Sequence, residues 1–88
     1  MNHSHRKTLH ALFAHPVSGN IAMKDVEHVF VELGATLGHG NGGRVSVELS
    51  GHKASFHAHG HSLAMGEIAK IRQFIEHCGI DPEKAYPL

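Results

Sequence analysis

The stretch Arg44–His61, RVSVELSGHKASFHAHGH, decides the fold because it carries the clearest hairpin pattern in the chain. Apolar residues at positions 45, 47 and 49 alternate with polar residues at 44, 46 and 48, which is the period of two expected of a half-buried strand. Ser50-Gly51-His52-Lys53 supplies turn residues, and a returning strand is predicted from Ala54 through Phe56. The pattern predicts a sheet with one face turned to a core.

The returning strand leads into the alternating histidines His57, His59 and His61. In an extended strand the three rings would share one face at a spacing of about 6.5 to 7 Å. If Gly60 ends the strand, the rings are loop residues with no fixed spacing. Three interpretations stay open for them, namely solvated histidines at a strand end, a nucleic-acid site, or a metal site formed by all three.

Helical patterns flank this hairpin on both sides. The spacing of apolar residues predicts a short helix from about Ser4 to Phe13 and an amphipathic helix over Met23–Leu33, which Gly34 would cap. A last helix carries the apolar stripe Ile68, Ile71, Phe74, Ile75 and Cys78 and would end at Gly79. The tail over residues 81–88 is predicted to be a loosely packed end.

A short strand, Ala35–Leu37, and a glycine-rich turn, Gly38–Gly43, are expected between the second helix and the hairpin. The element order therefore predicts an α+β fold in which helices cover one face of a three-stranded antiparallel sheet, with an extra helix at the N-terminus. The other face of the sheet is left to solvent or to a partner.

Composition narrows the class of protein. The 88 residues suffice for one domain, and eight basic and eight acidic residues leave no net charge with histidine neutral. Eleven histidines would make the chain strongly cationic in mildly acid solution. The single cysteine, Cys78, excludes an internal disulfide, and no apolar run is long enough for a signal peptide or a membrane span. We expect a cytoplasmic protein with no membrane partner and no cofactor.

Three segments occur in a characteristic order between Lys24 and Ile80, namely KDVEHVFVELGA, GGRVSVEL and FHAHGHSLAMGEIAKIRQFIEHCGI. Their order and spacing resemble the HicA family of bacterial toxins, small RNA-cleaving proteins whose fold is related to double-stranded-RNA-binding domains. The resemblance implies a helix and linker over residues 1–22, a HicA-like domain over 23–80 and a tail over 81–88. It further implies mRNA as substrate and a HicB-like antitoxin as protein partner.

The chain departs from the family where the second strand begins. Family members have Gly-Ser-His there, and that histidine is assigned to catalysis, whereas this chain has Gly42-Gly43-Arg44. The family's Pro-x-His at the end of the third strand is matched at His59, with His57 in the proline position. The resemblance therefore places Arg44 at the family's catalytic position and keeps a family histidine at His59.

Arginine stays protonated and cannot act as a base, but its planar guanidinium suits phosphate. Arg44 is therefore predicted to bind RNA phosphate, together with Lys53, Lys70 and Arg72 if these basic side chains surround it. Metal-independent cleavage of mRNA would then require proton transfer by His59 with His57 or His61, and His59 and His57 are the predicted catalytic residues. Two alternatives stay open beside this endoribonuclease, a histidine-rich metal-binding module and a catalytically inactive structural adaptor of the same fold.

Overall fold

The computed structural model describes residues 1–16, 21–58 and 63–88 of the chain. Its elements, in chain order, are α1 (His3–Leu12), α2 (Met23–Glu32), β1 (Thr36–His39), a 3-10 turn (Asn41–Gly43), β2 (Arg44–Leu49), β3 (His52–His57), α3 (Met65–His77) and α4 (Pro82–Ala85). The strands form one antiparallel sheet in the order β1-β2-β3. The predicted α+β class, with helices against a three-stranded sheet and an additional N-terminal helix, is confirmed.

The alternation in β2 sorts its side chains between the two faces of the sheet. Val45, Val47 and Leu49 are at most 5% exposed, whereas Arg44, Ser46 and Glu48 are exposed. The buried side chains belong to the core beneath α2 and α3. A core on one side therefore leaves the other side of the sheet as an open face.

The turn between β2 and β3 is shorter than the sequence pattern suggests. Ser50 and Gly51 both have positive φ, at 53° and 80°, and Leu49 pairs directly with His52. His52 and Lys53 belong to β3. The predicted four-residue turn over 50–53 was therefore wrong, since two residues with positive φ suffice to reverse the strand without disturbing its twist.

Strand β1 begins and ends later than predicted. It covers Thr36–His39 in place of Ala35–Leu37, because Gly38 pairs with Ser46 and His39 with Val45. Gly38 and His39 were predicted to lie in the glycine-rich turn, but pairing with β2 makes them part of β1. An added Cβ on Gly38 would lie 2.6 Å from Ser46 Oγ, so this glycine also allows the two strands to approach.

The core is a single cluster that joins all the larger elements. Phe30 of α2, Phe56 of β3 and Phe74 of α3 pack with ring centroids 5.8 to 6.0 Å apart. Leu9 and Leu12 of α1 are fully buried in the same cluster. The N-terminal helix is therefore part of the core that supports the sheet.

Both predicted glycine caps are confirmed. Gly34 after α2 and Gly79 after α3 have positive φ, at 94° and 80°. In each case the residue after the glycine donates its amide to the carbonyl five residues earlier in the chain, Ala35 to Phe30 at 2.9 Å and Ile80 to Ile75 at 3.3 Å. This is the hydrogen-bond pattern of a Schellman cap.

The tail over 81–88 is more ordered than predicted. The Asp81 side chain caps α4 by accepting a hydrogen bond from the Glu83 amide at 3.0 Å, and Pro82, the first residue of the helix, is buried. His10 of α1 donates from Nε2 to the carbonyl oxygen of Tyr86 at 2.7 Å. The prediction of a loosely packed end missed this short helix because its contacts are with α1, far away in sequence.

Candidate functional site

The open face of the sheet presents its side chains in rows set by the strand register. Arg44 lies opposite His57 at one end, Ser46 opposite Ser55 in the middle, and Glu48 opposite Lys53 at the other end. Small side chains in the middle row leave a shallow groove of about 500 Å³ across this face. The two ends therefore differ in character, since one carries an arginine and a histidine and the other an acid and a lysine.

Arg44 and His57 form the end of the open face where β2 begins and β3 finishes. Arg44 is exposed and His57 is half-buried. The His57 ring makes a hydrogen bond from Nε2 to the carbonyl oxygen of Gly42. Because a carbonyl oxygen only accepts, Nε2 carries a proton in this bond, and the bond fixes the orientation of the ring.

Gly43 allows the loop before β2 to lie against β3. Its φ is +80°, and a Cβ at this position would lie 2.4 Å from the carbonyl oxygen of Ala58. The Ala58 amide in turn donates to the Gly43 carbonyl at 3.2 Å. Any side chain here would push the loop away, so Gly43 helps place Gly42 over the His57 ring and Arg44 beside it.

Glu67, in the first turn of α3, fixes the end of β3 from the edge of the sheet. Its carboxylate accepts from the His57 amide at 3.0 Å and from Lys70 Nζ at 3.3 Å. Partial burial by itself raises the pKa of Glu67, but these two hydrogen bonds and the nearby charges of Lys70 and His57 outweigh it, so the pKa is lowered. The carboxylate is therefore ionised at neutral pH.

Sequence reasoning did not single out Glu67. The spacing of three residues between Glu67 and Lys70 on a helix does indicate an ion pair. The more important contact, with the amide of His57, depends on how α3 docks against the sheet edge. No local pattern carries that information.

The predicted site residues are only partly brought together. Lys53 lies four residues before His57 on β3, about 13 Å along the strand. Arg72 lies five residues beyond Glu67 on α3, about 7.5 Å along the helix axis, and its Nε is 3.8 Å from Glu76 Oε1. Lys70 is linked to the end of the sheet at His57 by Glu67, whose carboxylate contacts both Lys70 Nζ and the His57 amide. His59 and His61 lie outside the residues that the structure describes.

Metal binding finds no support among residues 1–16, 21–58 and 63–88. Within these ranges no three histidine, cysteine, aspartate or glutamate side chains are arranged to hold a metal ion. Of the three alternating histidines only His57 is described. Cys78 donates from Sγ to the Leu49 carbonyl at 3.5 Å, and burial raises the pKa of its thiol, which fits a core side chain better than a nucleophile.

No protein-family model, curated protein or solved structure matches the chain. None of the helices in the described part of the chain combines the length and apolar character needed to cross a membrane. The features of the molecule that bear on its activity are therefore the open face of the sheet and the side chains of Arg44 and His57 at one end of it.

Proposed function

We propose that the chain is a HicA-like, toxin-type RNA-binding protein whose RNA surface is formed by Arg44, His57 and Lys70. The observation that carries the proposal is the direct pairing of Arg44 with His57 on the uncovered face of the sheet. The confirmed element order supports it, because the resemblance expects helices on one side of a three-stranded sheet and an open face on the other.

Arg44 supplies the phosphate-binding group of this surface. Its guanidinium stays charged at every physiological pH and presents donors in a plane that matches phosphate oxygens. Lys70 adds a second positive charge near the same end, held 3.3 Å from Glu67. Backbone phosphate contacts of this kind bind RNA without reading its sequence.

His57 supplies the group that distinguishes cleavage from binding. Cleavage without a metal requires a base for the 2′-hydroxyl proton and an acid for the leaving oxygen. The bond from Nε2 of His57 to the Gly42 carbonyl oxygen orients the ring at the end of the open face, opposite Arg44. His59, which lies outside the described residues, is the second proton-transfer group in this proposal. Loss of either role would leave an RNA-binding protein without nuclease activity.

A HicB-like antitoxin is the protein partner in this proposal, and the open face of the sheet is the surface that it would cover. The face is lined by small and polar side chains and carries charge at both ends. An acidic segment of the partner would pair with Arg44 and exclude RNA. A cytoplasmic location belongs to the same proposal, since mRNA is the substrate.

The experiment incubates the protein with a long single-stranded transcript in EDTA and follows both retention and cleavage of the RNA. The variants are Arg44→Ala and His57→Ala, and the matched control is Lys84→Ala, which removes one exposed charge from α4.

We expect Arg44→Ala to weaken binding about ten-fold, as for loss of a charged phosphate contact, and Lys84→Ala to bind as the wild type does. Cleavage by the wild type that is lost in His57→Ala assigns the nuclease activity to this histidine. Absence of both cleavage and binding in the wild type would refute the proposed function.

A further inference from the structure

A second cavity lies on the helix side of the sheet, between the start of α2 and the connection from β1 to β2. Its volume is about 590 Å³, and Met23, Val45 and Ala58 form an apolar part of its lining. Met23 and Val45 are 6% and 4% exposed and belong to the core cluster. Each of these two side chains therefore contributes a small apolar surface to the cavity, and their packing in the core holds that surface in place.

The same cavity is lined by a lysine and an arginine, and also by Asp25, which follows Lys24 in α2. Lys24 comes from the first turn of α2, and Arg44 comes from the first position of β2. A Cβ added to Gly40 would lie 3.7 Å from Arg44 Cβ and 3.9 Å from Arg44 Cδ, so the arginine stem runs alongside Gly40. Arg44 therefore belongs both to the open face of the sheet and to the cavity.

Glu27 and His39 line one side of the cavity with polar side chains, and we call this side the hydrogen-bonding wall. Glu27 Oε1 lies 2.5 Å from His39 Nε2, which ties α2 to the end of β1. The Glu27 side chain is only 23% exposed, and the contact with His39 restricts its rotamers. An ionised carboxylate only accepts hydrogen bonds, so this wall selects ligands that present donors.

We infer that this cavity binds a guanine nucleotide, with the base on the apolar surface, its donor edge on Glu27 and its phosphate on Arg44 and Lys24. The inference deepens the proposed function, on which it rests for the identity of the ligand as one residue of an RNA strand. An RNA strand that crosses the end of the sheet where Arg44 lies would place one base in the cavity. The phosphates next to that base would then contact the proposed RNA surface.

Guanine follows from the chemistry of the wall. Of the four RNA bases only guanine presents two adjacent donors, N1–H and N2–H, to a single carboxylate. Cytosine and adenine offer one amino group beside an acceptor, and uracil offers one N–H between two carbonyl oxygens. A negatively charged carboxylate opposite those acceptors is unfavourable, so Glu27 discriminates by repulsion as well as by attraction.

The test titrates the protein with GMP, IMP and AMP and follows backbone amide shifts by NMR. IMP lacks only the N2 amino group of GMP, so the comparison isolates one hydrogen bond without changing the protein. We expect shifts at Met23, Lys24 and Glu27, and an affinity for GMP about ten-fold above that for IMP or AMP, as for other bidentate base contacts.

Two variants complete the design. Glu27→Gln keeps an oxygen for His39 but removes the charge, and it should reduce the preference for GMP over IMP to about two-fold or less. Glu76→Gln removes an exposed carboxylate on α3 and should leave the preference unchanged. Equal affinity for the three nucleotides, or a preference that survives Glu27→Gln, would overturn the guanine assignment.

The two proposals fail separately. If the transcript binds at Arg44 but the protein does not prefer GMP over IMP and AMP, the proposed RNA surface is supported and the cavity assignment is overturned. Selective binding of GMP by a protein that does not retain the transcript would support the cavity assignment and refute the proposed function.

Discussion

Arg44 and His57 have different chemical roles although they are neighbours across two strands. Arginine contributes a permanent positive charge, whereas histidine contributes a proton that can be exchanged near neutral pH. The structure gives His57 a defined orientation through the Gly42 carbonyl and fixes its backbone through Glu67. This arrangement makes Glu67 a positioning residue for the proposed RNA surface.

Glu67→Gln should lower the free energy of unfolding at pH 7 by about 1 kcal/mol, because an ionised acceptor is replaced by a neutral one. The folded state lowers the pKa of Glu67, so the carboxylate stabilises the fold above its ordinary pKa of 4.5, and this contribution is lost as pH falls through the lowered value. The difference between the two proteins should therefore shrink in acid. Urea unfolding at pH 7 and in the acid range measures it.

Glu76→Gln is the matched control for this prediction. Its carboxylate is 57% exposed and lies 3.8 Å from Arg72 Nε, so its removal should change stability by only a few tenths of a kcal/mol. A Glu67→Gln effect that stays constant with pH would contradict the role assigned to the ionised carboxylate.

At the scale of elements, the β2–β3 hairpin shows what local sequence determines. The alternation in Arg44–Leu49 predicts both the strand and its buried face, because side-chain period alone fixes these features. The exact turn was not predictable from composition, since Ser50 and Gly51 indicate a turn but do not show where strand pairing resumes after it. Only the pairing of Leu49 with His52 decides which residues turn.

Ser50→Asn should stabilise the hairpin. Ser50 has φ 53°, a left-handed conformation that asparagine adopts more readily than serine, and Asn-Gly is the preferred pair for this type of turn. We expect an increase of about 0.5 kcal/mol in the free energy of unfolding, measured by chemical denaturation.

Ser55→Asn, in the middle of β3, is the control because its backbone is extended. It should be neutral or destabilising, since asparagine is unfavourable in strands. An equal gain from both substitutions would show that the turn conformation is not the cause.

The β1 strand and the Glu67 contact show what local sequence does not determine. Gly38 and His39 resemble turn residues until β2 provides their pairing partners. Glu67 meets His57, and Glu27 meets His39, only after the helices have docked on the sheet. The fold class and the exposure of Arg44 on the open face follow from the periodicity of the sequence. The contacts of Glu27 and Glu67, in contrast, depend on tertiary structure.

At the scale of the whole molecule, charge depends strongly on pH. Eight basic and eight acidic residues balance with histidine neutral, and the chain also holds eleven histidines. Histidine is the side chain type whose charge changes most readily with small changes of pH near neutrality. The molecule therefore becomes more attractive to a polyanion in mild acid.

RNA affinity should consequently increase by at least about ten-fold between pH 7.5 and pH 5.5 at constant ionic strength, as several added positive charges contribute to binding. Fluorescence anisotropy on the same transcript measures this trend. Affinity that does not change with pH would contradict a contribution from the histidines.

The salt dependence of RNA binding tests the central claim most directly, because it counts the phosphates that the protein neutralises. For single-stranded RNA the slope of log affinity against log salt is about −0.7 for each phosphate contact. We predict a negative slope for the wild type, a slope shallower by about 0.7 for Arg44→Ala, and no change for Lys84→Ala. Affinity of the wild type that is independent of salt, or identical slopes for the wild type and Arg44→Ala, would contradict an RNA surface at Arg44.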